Sequence, residues 1–210
     1  EIRRGIAMEE KKENNLHRIA SITRTTKETD ISLTLNLDGS GQGEIDTGIG
    51  FFDHMLHGFA RHGLFDLSIK GKGDLQIDTH HTIEDTGIVL GNAIGKAVGD
   101  KAGMVRYGSC ILPMDEALIL CSLDLCGRPY LVYDLHLTRE KVGDLETEMV
   151  REFFYAVSYG AGMNLHIKQI HGSNNHHIIE GAFKAFAKAL DEATRWDERI
   201  TGVLSTKGSL

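Results

Sequence analysis

Hydrophobic and polar positions alternate most cleanly over residues 30–37, where Ile31, Leu33, Leu35 and Leu37 interleave with Ser32, Thr34 and Asn36. A period of two belongs to a half-buried strand, with one face on a core and the other in water. Ahead of it, after a charged lead-in, residues 17–26 read as a second strand, and behind it residues 39–50 form a glycine-rich turn. The period then changes. Phe52, Met55, Leu56 and Phe59 recur at helical spacing over residues 51–61, and Gly63 stops that helix. Residues 64–70 read as a strand and Gly71 and Gly73 as turn residues. Thr79 stands where the N-cap of a helix over residues 80–98 is expected.

The same order returns further along. Residues 105–112, 117–125 and 129–135 read as strands, 146–158 as a helix and 163–170 as a strand. Asn174 or Asn175 caps a last helix over residues 176–194, whose Ile179, Phe183, Phe186, Ala187 and Leu190 share one face. The expectation is an α/β (two-layer α+β) fold of two internally duplicated strand-strand-helix-strand-helix halves, each with its sheet on one side and its helices on the other. The halves span residues 17–100 and 101–195. A lead-in over residues 1–16, remnant or frayed ahead of Met8, and a C-terminal segment over residues 196–210 flank them.

Composition narrows the function. Apolar residues make up 41% and charged residues 25% of the 210, as in ordinary soluble proteins. No apolar run approaches the roughly 18 residues of a membrane span, and no signal segment opens the chain. Cys110, Cys121 and Cys126 are odd in number and lack C-x-x-C spacing, so they read as reduced core thiols of a cytoplasmic protein. A net charge of −7 argues against a nucleic-acid surface, which needs a basic stripe. An anionic ligand must then be held by a few placed cations.

The chemistry concentrates in one motif that occurs twice: His80-His81-Thr-Ile-Glu84 and His176-His177-Ile-Ile-Glu180, each opening the last helix of its half. His54 lies 26 residues before the first copy and Glu152 lies 24 before the second. Imidazole and carboxylate suit borderline and hard divalent ions. A Glu three or four residues after a His shares its helix face, whereas adjacent histidines diverge by about 100°. The two histidines of one motif therefore serve different ions more easily than the same one. Six donors give three ligands at each of two sites, and His54 and Glu152 raise each to four. Helix geometry alone leaves open which histidine shares an ion with its glutamate. Without nearby cysteine a structural zinc site is disfavoured. Nitrogen and carboxylate ligation fits an octahedral ion such as Mn²⁺ with open positions. His57, one turn from His54, could compete as a ligand. His136, His166 and His171 read as structural or solvated.

Phe-Phe-Asp-His-Met-Leu (51–56), Asp-Thr-His-His-Thr-Ile-Glu-Asp (78–85), Pro-Met-Asp-Glu-Ala (113–117) and Asn-His-His-Ile-Ile-Glu (175–180) strongly resemble the imidazoleglycerol-phosphate dehydratase family. So do Arg24-x-Thr26-x-Glu28-Thr29 and Ser205-Thr206-Lys207-Gly208, and the likeness is collinear from about residue 17 to the C-terminus. The resemblance implies an enzyme of histidine biosynthesis that removes water from imidazoleglycerol phosphate to give imidazole acetol phosphate. It implies a duplicated, ribosomal-protein-like α/β unit assembled from trimers into a 24-subunit homo-oligomer, with two Mn²⁺ ions per active site. One ion would be held by His54, His81, Glu84 and His176, the other by His80, Glu152, His177 and Glu180. Many members carry histidine where this chain has Glu152; His57 and His166 are the alternatives to it. Substrate binding would fall to Glu28, His54, His62, His80, Glu84, His176 and, at the phosphate, Arg106, Arg128, Lys184, Ser205, Thr206 and Lys207. Arginine forks suit phosphate geometry.

The proton to be lost is not beside a carbonyl, so simple base removal is slow. Metals on both imidazole nitrogens would favour an imidazolate that expels hydroxide to a diazafulvene-like species, making the neighbouring proton acidic. Glu28 is the candidate for that proton transfer or for a substrate hydroxyl. Two other functions accommodate paired histidine clusters: a metal-stabilised assembly protein without catalysis, and a dinuclear hydrolase of phosphate esters.

Overall fold

The computed structural model describes residues 18–210. The lead-in over residues 1–16 and the first residue of the strand expected at 17–26 lie outside them. The period-two run becomes β2 (Thr29–Asn36), which buries Ile31, Leu33 and Leu35 and exposes Asp30, Ser32 and Thr34. It pairs antiparallel with β1 (Ile19–Thr25) on one side and β4 (Asp66–Gly73) on the other. β3 (Gly43–Asp46) joins the far edge parallel to β4, so the first sheet runs β1-β2-β4-β3. Helices α1 (Gly50–Gly63) and α2 (His80–Val98) cover its buried face.

The second half repeats this order. β5 (Tyr107–Met114), β6 (Ala117–Asp124), β10 (Asn164–His171) and β7 (Tyr130–Asp134) form a sheet in the order β5-β6-β10-β7, again antiparallel except for its last pair. Helices α3 (Glu148–Ala161) and α4 (Asn175–Thr194) cover it. A small hairpin, β8 (Lys141–Val142) with β9 (Leu145–Glu146), is inserted between β7 and α3. The duplication and the sheet-on-helix layering expected from the sequence are both present. Each four-stranded sheet has one strand more than the strand-strand-helix-strand-helix unit, and the second half adds the two-stranded hairpin. In the first half that strand, β3, is a four-residue edge with one apolar side chain, Ile45, inside the stretch read as a glycine turn. Gly71 and Gly73 lie inside β4 and not in a turn, paired with Ile31 and Thr29. A Cβ on Gly73 would come within 1.9 Å of the Thr82 hydroxyl on α2, so the glycine lets helix and strand meet.

The halves join helix layer to helix layer: α2 packs on α3 and α1 on α4, giving sheet, helices, helices, sheet. Seven phenylalanines are fully buried, among them Phe52, Phe153, Phe154, Phe183 and Phe186 at this interface. Phe153 stacks on Phe183 (5.1 Å between centroids), and Phe52 meets Phe153 edge-on at 5.2 Å. Such pairs contribute about 0.5–1.5 kcal/mol each beyond the area they bury. On the α2 side the approach is closer, because Gly87 and Gly91 face α3. A Cβ on Gly91 would stand 2.6 Å from the Val157 carbonyl oxygen and 2.9 Å from Gly160. No helix among the described residues is long and apolar enough to cross a membrane.

Alanine in place of glycine inside a helix normally stabilises by up to about 1 kcal/mol. Gly91→Ala is expected to reverse that sign, lowering stability by about 1–3 kcal/mol through overpacking. Gly58→Ala on α1, where an added Cβ meets open space, is expected to stabilise. Urea midpoints at one fixed protein concentration check both; a stabilised Gly91→Ala would contradict this account of the crossing.

Candidate metal centre and phosphate cleft

Both histidine motifs sit where the sequence puts them, in the first turn of α2 and of α4. The exposed backbone amides of those turns are capped two residues upstream in each half. The His80 amide donates to Asp78 (2.8 Å) and the His176 amide to Asn174 (2.9 Å). Thr79 occupies the N-cap position, but its hydroxyl donates to Glu146 instead of capping. Asn174 is thus the cap of α4. Asn175 is buried and accepts from the amides of Thr138 and Arg139.

The first histidine of each motif turns toward its own glutamate. His176 Nε2 lies 3.0 Å from Glu180 and His80 Nε2 3.7 Å from Glu84, both i,i+4. His54 enters from α1, with Nε2 3.8 Å from the same Glu180 oxygen. His54, His176 and Glu180 each offer a donor atom within 4.8 Å of the others, the one such three-donor group among the described residues. Two imidazole nitrogens and a carboxylate oxygen at that spacing fit a divalent ion of the manganese or zinc kind. Phe51 holds His176 edge-on at 5.0 Å.

The second histidine of each motif turns away to a different carboxylate. His81 Nδ1 donates to Asp74 (3.0 Å), and His177 Nδ1 to Glu116 (2.6 Å). Ligation would then fall to Nε2, the arrangement in which a second-shell carboxylate fixes the tautomer of a metal-binding histidine. The Glu116 carboxylate also accepts from the amides of Asn174 (2.8 Å) and Ser173 (3.2 Å). With His177 beside it, it is held down at about 2. His177 is raised by the Glu116 bond and His81 by the Asp74 bond, with the charge of Glu28 adding to the latter. Glu28, at the β1–β2 turn, is therefore near His81. Burial alone would raise the Glu180 carboxyl; the Lys184 ammonium at 2.6 Å outweighs it and keeps the group low.

The hairpin β8–β9 ties the ends of both halves together. Asp144 at its turn accepts from the amides of Gly50 (2.6 Å) and Phe51 (2.9 Å), capping α1 from the other half. Glu146 takes the Thr79 hydroxyl at the start of α2.

Several expected residues stand elsewhere. In the expected division Glu180 serves the other ion from His54 and His176, but within this chain it lies with them. Lys184 pairs with Glu180 (2.6 Å) and does not line the cleft of the other phosphate candidates. Glu152 on α3 pairs with Arg151 (2.8 Å). His166 points out from β10, on the face away from the helices, and cannot replace Glu152 within the chain. His57 packs over Gly43 of β3. His62, in the last turn of α1, is lowered by burial and by the nearby Lys184. The remaining phosphate candidates do converge: Arg106, Arg128, Ser205, Thr206 and Lys207 line one cleft of about 750 Å³. Arg199 borders it and had no distinguishing signal in the sequence. Asp74, Asp78, Glu116 and Asp144 also went unassigned, although Asp78 and Glu116 stand inside motifs already singled out. Cys121 and Cys126 are buried, Cys110 is half-buried, and all three are unpaired.

Glu116→Gln removes the charge that raises His177. The imidazole of the metal-free protein is expected to titrate above 6.5 in the parent and to return toward 6.5 in the variant. Ring-proton chemical shifts followed from pH 5 to 9 check this, and an unmoved midpoint would contradict the assigned pair.

The family profile described as imidazoleglycerol-phosphate dehydratase matches residues 47–190. A protein named imidazoleglycerol-phosphate dehydratase from Lachnoclostridium phytofermentans is 66% identical over 195 residues, 93% of this chain and all of that protein. The crystal structure of the dehydratase from Staphylococcus aureus is 41% identical and superposes with a TM-score of 0.78 over 85% of this chain and 99% of that one. That from Pyrococcus furiosus is 39% identical with a TM-score of 0.77, over 90% and 100%. With its collinear motifs, duplicated fold and paired histidine clusters, this chain belongs to the imidazoleglycerol-phosphate dehydratase family.

Proposed function

We propose that this enzyme works at sites shared between copies, each holding two manganese ions beside the imidazole of its substrate and gripping the phosphate in the Arg106–Lys207 cleft. Membership of the family makes the reaction the dehydration of imidazoleglycerol phosphate in histidine biosynthesis. The observation that carries the shared site is the position of the two parts on one chain. The histidine cluster stands at the N-terminal end of α4 and at the β5–β6 turn, where Glu116 meets His177. The cleft stands at the other end of both elements, where the Arg106 amide donates to the Ala193 carbonyl. His176 and Ala193 are 17 residues apart on one helix, roughly 25 Å at 1.5 Å per residue. A small phosphate ester cannot span that distance, so a second copy must bring its cleft to the first copy's cluster. This favours a closed homo-oligomer, such as the trimers and 24-subunit shell expected from the resemblance.

Within one chain His54 and His176 already meet, as one pair of the proposed set His54, His81, Glu84 and His176. A neighbouring copy would supply His81 and Glu84. By the internal symmetry, His80 with Glu152 would be completed by His177 and Glu180. Bound manganese would supply Lewis-acid polarisation of the imidazole and of the departing oxygen. The chain's own groups do the rest. Asp74 and Glu116 hold the His81 and His177 rings. Arg128, Ser205, Thr206 and Lys207 fix the phosphate, and Glu28 beside His81 moves the proton. The unpaired thiols accord with a cytoplasmic enzyme.

Metal-stripped protein is expected to be inactive and to recover on addition of Mn²⁺, forming a ketone that retains its phosphate. Release of inorganic phosphate without ketone would instead indicate a phosphoester hydrolase, and full activity after stripping would contradict the metal reading. Sites shared between copies also predict complementation. His54→Ala and Arg128→Ala homo-oligomers should each be nearly inactive, while co-assembled mixtures regain up to about a quarter of the parent's sites. Mixtures as inactive as their components would place the site within one copy.

A further inference from the structure

Arg106 stands out among the residues of the cleft because it is neither exposed nor free. Its backbone occupies the left-handed region (φ 75°), uncommon for a side chain of this size. That conformation is fixed from both sides: its amide donates to the Ala193 carbonyl (2.8 Å) and its carbonyl accepts from the Leu125 amide (3.1 Å). The side chain is 10% exposed and its guanidinium lies over the Tyr107 ring, 4.7 Å from its centroid. Three of the guanidinium's five N–H groups are already engaged. Nε and Nη2 donate to the two oxygens of Asp124 (2.7 and 3.0 Å), and Nη1 donates to the Leu204 carbonyl (2.7 Å). The fork that would grip a phosphate is occupied by a carboxylate of the same chain.

The Leu204 bond falls at a decisive place. The C-terminal segment is tied to the body at Gly202 and Val203, through the Gly103 amide and a bridge to Ala102. Beyond Leu204 the hydrogen bonds of the segment are its own among the described residues. The Ser205 amide donates to the Val203 carbonyl, the Lys207 amide to the Ser205 hydroxyl, and the Gly208 amide to the Ser205 carbonyl. Among the described residues, Leu204 is thus the last one hydrogen-bonded to the body before the turn that presents Ser205, Thr206 and Lys207 to the cleft.

We infer that Arg106 and Asp124 act as a latch on the C-terminal segment. Asp124 is a positioning residue that aims the Arg106 guanidinium at the Leu204 carbonyl, and the phosphate meets Lys207 and Arg128 because the segment is held. Arg106 then orders its neighbours as well as lending positive charge to the cleft. The inference rests on the cleft being the phosphate end of the site, so its test reads the segment and the substrate separately.

Asp124→Asn removes a negative charge beside an anion site, which by electrostatics alone should lower KM. The latch predicts the opposite: KM for imidazoleglycerol phosphate rises about tenfold while kcat stays within about twofold, the scale of one lost charge-assisted bond. In the substrate-free, metal-loaded assembly, deuterium uptake by the Ser205–Gly208 amides should accelerate about tenfold. Arg106→Lys keeps the charge without the fork, so it should match Asp124→Asn in both readouts. It also carries the test if Asp124→Asn fails to assemble. Adding Asp124→Asn to Arg106→Ala should raise KM no further. Unchanged deuterium uptake, or a lowered KM in Asp124→Asn, would overturn the latch. Faster uptake with an unchanged KM would uphold the latch and overturn the phosphate reading of the cleft.

Discussion

Phe153 of α3 stacks on Phe183 of α4 and takes the edge of Phe52 from α1, so helices from both halves are locked at one point. Every functional side chain is placed relative to that lock. His54 lies two residues after Phe52, and His176 and Glu180 precede Phe183 by two turns or less, so packing that fixes the phenylalanines also fixes the donors. On the other side of the helix layer, Gly91 lets α2 lie against α3 with no side chain between. Neither sheet alone could set the spacing between α1 and α4, because the contact is between elements of different halves.

The second constraint is charge. In an acidic chain each histidine of the two motifs has a carboxylate within reach, and each does something different. Glu180 and Glu84 sit i,i+4 from the first histidines and remain candidate ligands. Asp74 and Glu116 hold the second histidines by Nδ1. The cations are likewise divided: Lys184 neutralises Glu180, Arg106 is taken by Asp124, and Arg128 and Lys207 remain at the cleft. The effect is that positive charge left unpaired among the described residues gathers at the end of α4 opposite the histidine cluster, where the proposed function seats the phosphate.

Much of this was legible in the sequence, and the limits have physical reasons. β2 is legible from its period because one face is fully buried and the other is wet; α1 and α4 are legible from apolar spacing, and α2 only from Thr79 at its N-cap position, where the hydroxyl turns to Glu146 instead. β3 is not, since a four-residue edge strand with one apolar residue carries no period, and β8 and β9 are two residues each. Gly71 and Gly73 were misread because a glycine needed for close helix approach looks the same in sequence as a glycine in a turn. In the site, spacing along one helix identified the donors, but it carries no information on partners from other elements. Asp74, Glu116, Asp124 and Asp144 act across the fold, so only the tertiary structure could pair them. Lys184 is a phosphate candidate through the resemblance alone, while its i,i+4 relation to Glu180 is the local signal for the ion pair the fold shows.

The duplication also makes the two proposed ion sites unequal. The internal symmetry carries α1 onto α3 and α2 onto α4, so His54 and Glu152 occupy matching places on α1 and α3. His54 faces His176 and Glu180 directly, whereas Glu152 is turned to Arg151. An imidazole leaves the full charge of an ion to act on its substrate, and a carboxylate offsets part of it. The proposed set built on His54 would therefore hold three imidazoles and one carboxylate, and that built on Glu152 two of each. The nitrogen-rich site would be the stronger Lewis acid, and the carboxylate-rich site would favour the harder ion. Two copies of one motif would thus give two chemically distinct positions, a difference that an asymmetric substrate, with one carbon to lose hydroxide and the next to lose a proton, would use.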